Sequence, residues 1–455
     1  MLVKRPLSQS LWTSPNVLET ANISSSKLEA RRSLQVNQRE SLAPAVTHSS
    51  DSASNRNQSF DWQCSETKLA LRVVTRWNEI DTIVPEWNRL TGRALEPSPS
   101  SESWMLVPSL RYICKDPNVK VVLMYRQKSP SEPSLIAVFP VQVHARFKGL
   151  PIRLLSIWNH PYSLFPAPVV DREFAHDSLR ALLNWNRSNF GSRSLLMLPE
   201  LRSGSAFFEI LADIIRKDDL QSYVTNMHTR AFFRPRYGAQ EYLDSIGTAH
   251  HQKEFRRQER HLSELGELTY VEYQPSDDLT QWVGDFISLE MTGWKGKEGT
   301  AFGCNEEHSA WLHSVVAEAQ QRKELMFLAL KLMGKPIAMK LNFLAPPGGY
   351  TFKIAFDESY SKYSPGALLE LENIRRLHNR PNIRWMDSLA VAGHSLMNRV
   401  WIDQEAVMTT LVAPRRSVGE LIVSLLPLLT LIKRWLPHKS SGKLNDPRQS
   451  RGFIG

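Results

Sequence analysis

Residues 324–357 constrain this chain more than any other stretch. ELMFLALKLMGKPIAMKLNFLA reads as two apolar strands around Gly334-Lys335-Pro336, and GGYTFKIAFD follows as a third. A short polar turn between two strands commits them to antiparallel pairing. Ser364-Pro365-Gly366 then opens a helix (SPGALLELENIRRLHN), and IRWMDSLA reads as a final strand. The chain must therefore build a sheet with helices against it.

Upstream, LALRVVT alternates like a strand, Trp77–Leu90 and Trp104–Ile113 have helical spacing, and a Pro/Ser loop joins them. VKVVLMY, SLIAVFPVQVHA and LPIRLLSIW read as successive strands. DSLRALLNWNRS is a helix, SLLMLP a strand, and SAFFEILADIIRK a helix capped by Ser205. This set ends near residue 225. A second begins near Arg230 with a long charged helix, Tyr242–Leu265, then the strand LTYVEYQ and the helices LTQWVGDFISLEMTGWK and HSAWLHSVVAEAQQR. The fold class is α+β, divided as 1–60, 61–228, 229–412 and 413–455. Residues 1–60 hold thirteen serines and few aromatics. Such a segment buries too little apolar surface to offset the entropy of ordering, so a disordered tail is expected.

Composition narrows the function. The chain is 42% hydrophobic and 22% charged, which excludes a wholly disordered or disulfide-scaffold protein. Its net charge of +10 sits at the ends. Residues 413–455 carry eight basic and two acidic side chains, residues 1–60 seven and four, and the core between them is nearly neutral. That distribution argues against nucleic acid as a partner, which asks for a basic patch on the folded domain. Cys64, Cys114 and Cys304 are odd in number and fit no zinc spacing, so no metal site is read. Free thiols suit a reducing cytoplasm. No run of 18 apolar residues occurs, so no transmembrane helix is read.

Chemistry concentrates after the third strand. Serine is a favoured N-cap and proline is tolerated at the first helical position. Glycine next allows a bulky group to approach the backbone. Free amides and the positive end of the helix dipole make such a terminus an anion site, with pyrophosphate a natural occupant. Tyr363, Ser364, Pro365, Gly366, Ala367 and Leu368 form this candidate site. An ordinary capped helix would show the same pattern.

Here the chain resembles a known family. The helix opening and the hairpin before it look like the acyl-CoA-binding half of a GNAT acyltransferase, more narrowly the bacterial CelD/BcsL type. EMTGWKGKEGTA (290–301), FRRQERHLSELGEL (255–268), FKIAFDESYSKYSPGALL and MDSLAVAGHSLMNRVW are the similar blocks. The resemblance covers 230–405 and weakly 68–225. The family's Tyr-Lys before the last Trp is replaced by Met397-Asn398, and the usual glycine-rich phosphate signature is absent. The resemblance implies tandem GNAT-like (FemAB-like) halves with mixed β-sheets flanked by helices, and a cleft between them. It implies acyl transfer from acetyl-CoA or another acyl-CoA to an amine or hydroxyl, with a role in cellulose or exopolysaccharide synthesis. By position, strand 336–343 would present its backbone N–H to the thioester oxygen. Two rival readings stand: a FemAB-like aminoacyltransferase, and a non-catalytic scaffold of a polysaccharide synthase.

Glu290, Tyr360 and Asp387 are the candidate catalytic residues, and Trp294, Lys295, Lys353, Arg256 and His160 the candidate substrate contacts. Glu290 and Trp294 are four apart, which puts them on one helix face. Lys353 lies among apolar residues, where an unpaired charge is costly, so a pair with Asp387 is expected. Trp311 or Trp401 could stack on a sugar ring. Solvated or packing roles remain open for each of these residues.

The C-terminal run ELIVSLLPLLTLIKRWLPHK is too short to cross a bilayer and is flanked by Arg415, Arg416, Lys433 and Arg434. An interfacial helix at the inner membrane and a helix packed on the core both fit it. The acceptor's identity and the oligomeric state are not legible.

Overall fold

The computed structural model describes residues 60–64, 68–127, 133–236 and 238–435, with the backbone alone for 430–435. Residues 1–59 of the Ser-rich segment and 436–455 of the basic one lie outside the described residues. Fourteen strands join in one mixed sheet. They are β1 (Trp62–Cys64), β2 (Leu69–Val74), β3 (Val119–Gln127), β4 (Pro133–His144), β5 (Arg153–Ile157), β6 (Val169–Val170), β7 (Ser194–Arg202), β8 (Ser222–Phe233), β9 (Leu268–Glu272), β10 (Leu325–Leu332), β11 (Lys335–Ala345), β12 (Gly348–Phe356), β13 (Trp385–Asp387) and β14 (Asp403–Val412). The helices are α1 (Val84–Thr91), α2 (Ser103–Pro108), α3 (Ala175–Phe190), α4 (Ala206–Lys217), α5 (Ala239–Ser245), α6 (Ala249–Ser263), α7 (Leu279–Thr292), α8 (Trp294–Lys297), α9 (Glu306–Gln321), α10 (Pro365–His378), α11 (Met397–Val400) and α12 (Val418–Trp435).

One pattern occurs twice. A strand and its helices lead into three antiparallel strands, then a crossover helix and a strand parallel to the third. In the first half this is β2, α1–α2, β3–β5, α3 and β7; in the second it is β9, α7–α9, β10–β12, α10 and β13. The halves then exchange their last strands. β8 follows β7 in the chain but pairs with β13, while β14 follows β13 but pairs with β7. β8 and β14 pair with each other along their whole length, from Asp403↔Phe232 to Val412↔Ser222. The two expected sheets are therefore one, and the expected boundary at 228/229 falls inside β8.

Helices cover both faces of the second half. Trp311, Phe327 and Phe343 pack beneath α7 and α9 in a core that continues into the first half through Leu196 and Phe207. Leu328, Leu344, Leu369 and Trp401 pack on the other face beneath α10, α5 and α6. β10 and β11 are buried on both sides, which is why the hairpin reads as unbroken apolar runs rather than alternation. Asn342 of β11, which gives its amide N–H to Asn373 Oδ1 (3.0 Å), and Lys340 are the buried exceptions. The Lys340 ammonium lies 2.7 Å from Glu370 of α10, both essentially without solvent contact. Glu370 also accepts from Trp401 Nε1 (3.0 Å) and Asn373 Nδ2 (2.9 Å).

Local chemistry moves several expected boundaries. The long charged helix is two, because the chain turns at Ile246–Gly247 and restarts where the Thr248 hydroxyl accepts from His251 N. The helix expected through Lys295 stops at Thr292, and Gly293 takes extended backbone. Glu290 and Trp294 therefore share no helix face. The last strand is β14, not the stretch around Trp385.

Gly348 fixes where the parallel pair β12–β13 begins. A Cβ there would lie 2.1 Å from the Trp385 indole, which also packs on Phe232 (5.4 Å) and under the Arg202 guanidinium (4.2 Å). Nothing in this stack can yield cheaply. Gly348→Ala will lower the unfolding free energy by about 1–3 kcal/mol, the range for overfilled cores, read from denaturant melts.

Candidate active site

β12 and β13 run parallel for three residue pairs, Gly348↔Trp385 to Tyr350↔Asp387, and then part. From Thr351 to Phe356, β12 keeps its antiparallel partner β11 but has no strand on its other side among the described residues. The β11 register shifts here, with Leu341 opposite Lys353 and Asn342 opposite Thr351, so Phe352 is an extra residue in β12. Such a bulge re-aims the side chains that follow it. The half-open strand is thus β12. The expected 336–343 lies in β11, which is paired on both sides.

Just past the bulge, Lys353 points to the α7 face. Its ammonium donates to Glu290 Oε1 at 3.1 Å, and Lys295 of α8 reaches the same oxygen at 3.4 Å. The second oxygen of Glu290 accepts from the Phe302 amide at 2.8 Å. Glu290 is buried, while the side chains of Lys295 and Lys353 retain 14% and 19% of their exposure, so solvent or a ligand can reach them. Two cations and one anion leave this group one positive charge in excess. Burial and the neighbouring Lys353 ammonium lower the Lys295 pKa below its ordinary 10.5, with Glu290 opposing.

Aromatic rings wall the group, and the first half of the chain supplies one of them. Lys353 Nζ lies 4.4 Å from the Phe302 ring centroid and 5.3 Å from that of Tyr162, in the loop after β5. Tyr162 stacks on Trp311 (4.9 Å), and its hydroxyl lies 2.9 Å from His308 Nδ1 of α9. Burial, with the Glu290 charge added, pushes the Tyr162 phenol up to about 12, and burial also lowers His308. Near neutral pH the phenol therefore keeps its proton. His160 sits behind this wall against Trp158 (4.8 Å). It is buried, and its pKa is pulled down to about 3 by the loss of water.

Three residues singled out from sequence thus converge, Glu290, Lys295 and Lys353, with His160 in the ring wall behind them. Others do not join them. Asp387 is buried against Arg230 (2.8 Å) and accepts from the Leu389 amide, so the expected Lys353–Asp387 pair does not form. Parallel pairing ends at Asp387, and Lys353 lies beyond that split. Tyr360 and Tyr363 pack at the edge of the core under α10, on the opposite face of the sheet. Arg256 is exposed and lies 3.9 Å from Asp244, lining a small cavity with Leu243, Phe255 and Arg375. Trp294 donates its amide to Glu358 (2.7 Å), which ties α8 to the loop after β12. Trp311 and Trp401 are fully buried, their indole N–H groups given to Ser109 and Glu370, so neither is free to stack on a sugar. The sequence reading missed Tyr162, Phe302 and His308. Tyr162 stands two residues after His160, the one signal that pointed its way.

At the α10 N-terminus, Ser364 occupies the cap position with φ +50°, and its hydroxyl caps nothing. Its carbonyl instead accepts from the amides of Ala367 (2.9 Å) and Leu368 (3.1 Å). Pro365, Gly366, Ala367 and Leu368 are buried, with Gly366 facing Ile354 and Phe356 of β12. Residues 363–368 line neither of the two cavities described, one at Arg256 and one between β9 and α7.

Comparison with known proteins agrees with this layout over the second half. Residues 249–394, 146 of the 455, match the family model of the acetyltransferase (GNAT) domain. This stretch holds Glu290, Lys295, Lys353 and the β12–β13 split, and its mixed α/β arrangement is GNAT-like. Among solved structures the chain is similar to FemX, at 8% identity, TM-score 0.47, and 75% of this chain and 98% of that one covered. It is also similar to the C-terminal domain of an Agrobacterium fabrum protein described as a lysylphosphatidylglycerol synthetase (11%, TM-score 0.45, 77% and 96% covered). A third is a tandem GNAT protein from the clavulanic acid biosynthesis pathway (13%, TM-score 0.37, 75% and 98% covered). No curated protein matches the sequence.

The lowered Lys295 pKa has a direct readout. Competitive labelling with acetic anhydride across alkaline pH, followed by peptide mass spectrometry, will find Lys295 reacting as a free amine below 10.5, the value of an ordinary lysine. Glu290→Gln removes only the opposing carboxylate and will move the midpoint lower still. A Lys295 midpoint equal to that of a solvated lysine peptide would contradict this electrostatic picture.

Proposed function

We propose that the chain transfers an acyl group from an acyl-CoA thioester to an amine or hydroxyl on an acceptor that also carries an anionic group. The unpaired edge of β12 from Thr351 to Phe356, with Lys353 and Lys295 beside it, is the observation that carries this reading. An unpaired strand edge offers backbone N–H and C=O groups to an extended, amide-bearing pantetheine arm. The same edge can supply an N–H to the thioester oxygen as negative charge develops on it.

The chemistry then needs one proton acceptor. The acceptor nitrogen or oxygen bonds to the thioester carbon, the carbon–sulfur bond breaks, and CoA leaves as a thiolate that takes up a proton. Burial destabilises the Lys295 ammonium, so its neutral amine is the group suited to take the acceptor's proton. Glu290, whose oxygens are engaged by two lysines and an amide, orients these groups rather than moving a proton itself. When Lys295 takes up the acceptor's proton, the group gains one positive charge in excess, and an anion on the acceptor beside Lys353 stabilises it. An acidic sugar or an amino-acid-like acceptor uses that charge, and an uncharged cellulose chain does not.

Calorimetry of the purified chain with acetyl-CoA and with CoA tests the donor. Binding of both is expected, with thiol release on adding an anionic amine acceptor. Lys295→Met will lower kcat by about 10²–10⁴-fold, the usual weight of a positioned base, with KM for the donor little changed. A well-folded protein that binds neither acetyl-CoA nor CoA refutes the reading.

A further inference from the structure

The C-terminal helix presents a second apolar face that the other described residues leave bare. α12 is capped by Ser417, whose hydroxyl accepts from Glu420 N at 3.1 Å, and it lies on β7 and β8. Gly419 lets its first turn come close, because a Cβ there would stand 2.6 Å from the Ser194 carbonyl oxygen. Val423 and Leu426 are buried with Phe147, Leu154, Leu195 and Leu411, and Ile422 packs against them. At 100° per residue these inward positions span one side of the helix. Val418, Leu421, Leu425, Leu428 and Leu429 fall on another side as a stripe about 100° wide. They are 41%, 62%, 42%, 54% and 52% exposed. An ordinary surface helix carries charged residues there.

The surroundings of this stripe are basic. Arg415 and Arg416, at its N-terminal end, are exposed and make no ion pair among the described residues. Beyond Leu429 the sequence adds Lys433, Arg434, Lys439, Lys443, Arg448 and Arg451 against a single acid, Asp446. No helix among the described residues is long and apolar enough to cross a membrane. We propose that α12 is an in-plane membrane anchor that seats its leucine stripe in the interface of an anionic bilayer, with Arg415 and Arg416 on the lipid headgroups. Apolar burial and headgroup charge then act together, and both are needed for stable attachment of a short segment. A partner protein's groove would match the leucines but gives no reason for basic residues at both ends with one acid, Glu420, between them and that acid turned back onto the Arg416 amide.

Flotation of the full chain with vesicles tests this without reference to catalysis. Recovery with phosphatidylglycerol–phosphatidylcholine vesicles is expected to exceed that with phosphatidylcholine alone by about tenfold or more, because each basic residue at an anionic surface contributes roughly a fivefold gain. Leu421→Ser/Leu425→Ser/Leu428→Ser should abolish recovery and leave the thermal melt unchanged, since these side chains touch solvent. Arg415→Glu/Arg416→Glu should reduce it and lower its dependence on salt, because the screened electrostatic part of the attraction is removed. Equal recovery with both vesicle types, or equal recovery of the triple variant, overturns the proposal. So does a dimer in light scattering that the triple variant dissociates, because the stripe would then be a contact between copies of this chain.

Discussion

The ladder between β8 and β14 is the interaction on which the rest of the molecule depends. It joins a strand reached from the first half to a strand reached from the second, and each also pairs with the other half's parallel strand. Neither half can complete its own sheet. The two therefore share one cooperative framework, and the Tyr162 loop of the first half is held at a fixed place beside α9 and β12 of the second. A site with walls from both halves needs such a joint, because a flexible linker would leave the ring over Lys353 to chance.

Buried charge is arranged to hold that framework and to keep its parts distinct. Arg230 of β8 and Asp387 of β13 pair inside the sheet at the point where β12 and β13 part. Lys340 and Glu370 pin α10 to β11 on the far face. A buried pair is weak evidence of added stability, but losing one partner leaves an uncompensated charge, so each pair penalises any other alignment. Glu290 differs from these. It serves two lysines that solvent can reach, and its group is not neutral.

Sequence patterning made much of this legible. The hairpin β10–β11, the third strand and the helix after Ser364 follow from apolar runs, a short turn and Pro at the first helical position. Lys353 stood out as a charge among apolar neighbours, while Glu290 and Lys295 stood out within the block EMTGWKGKEGTA that resembles the family. What could not be read was tertiary. Lys353 reaches Glu290 instead of Asp387 because β12 parts from β13 three pairs after they meet, and pairing length is not written in either strand. β14 was overlooked because its partners β7 and β8 are some 200 residues away in sequence, so no local turn announced it. Ser364 looked like a cap from its type alone, yet its left-handed backbone turns the carbonyl, not the hydroxyl, to the first amides.

The same arithmetic of charge explains why Lys295 and Lys353 have different parts in the proposed reaction. Both approach one oxygen of Glu290, and the Lys353 ammonium there weakens the hold of Lys295 on its proton. Burial weighs on Lys295, whose ammonium is already destabilised by it, while Lys353 has the faces of Phe302 and Tyr162 to spread its charge upon. The rings leave the Lys353 ammonium placed to meet an anion. A desolvated one beside it is ready to give its proton up. An anion bound beside Lys353 would stabilise the Lys295 ammonium that forms once the acceptor's proton has been taken, which favours the transfer step rather than the resting base.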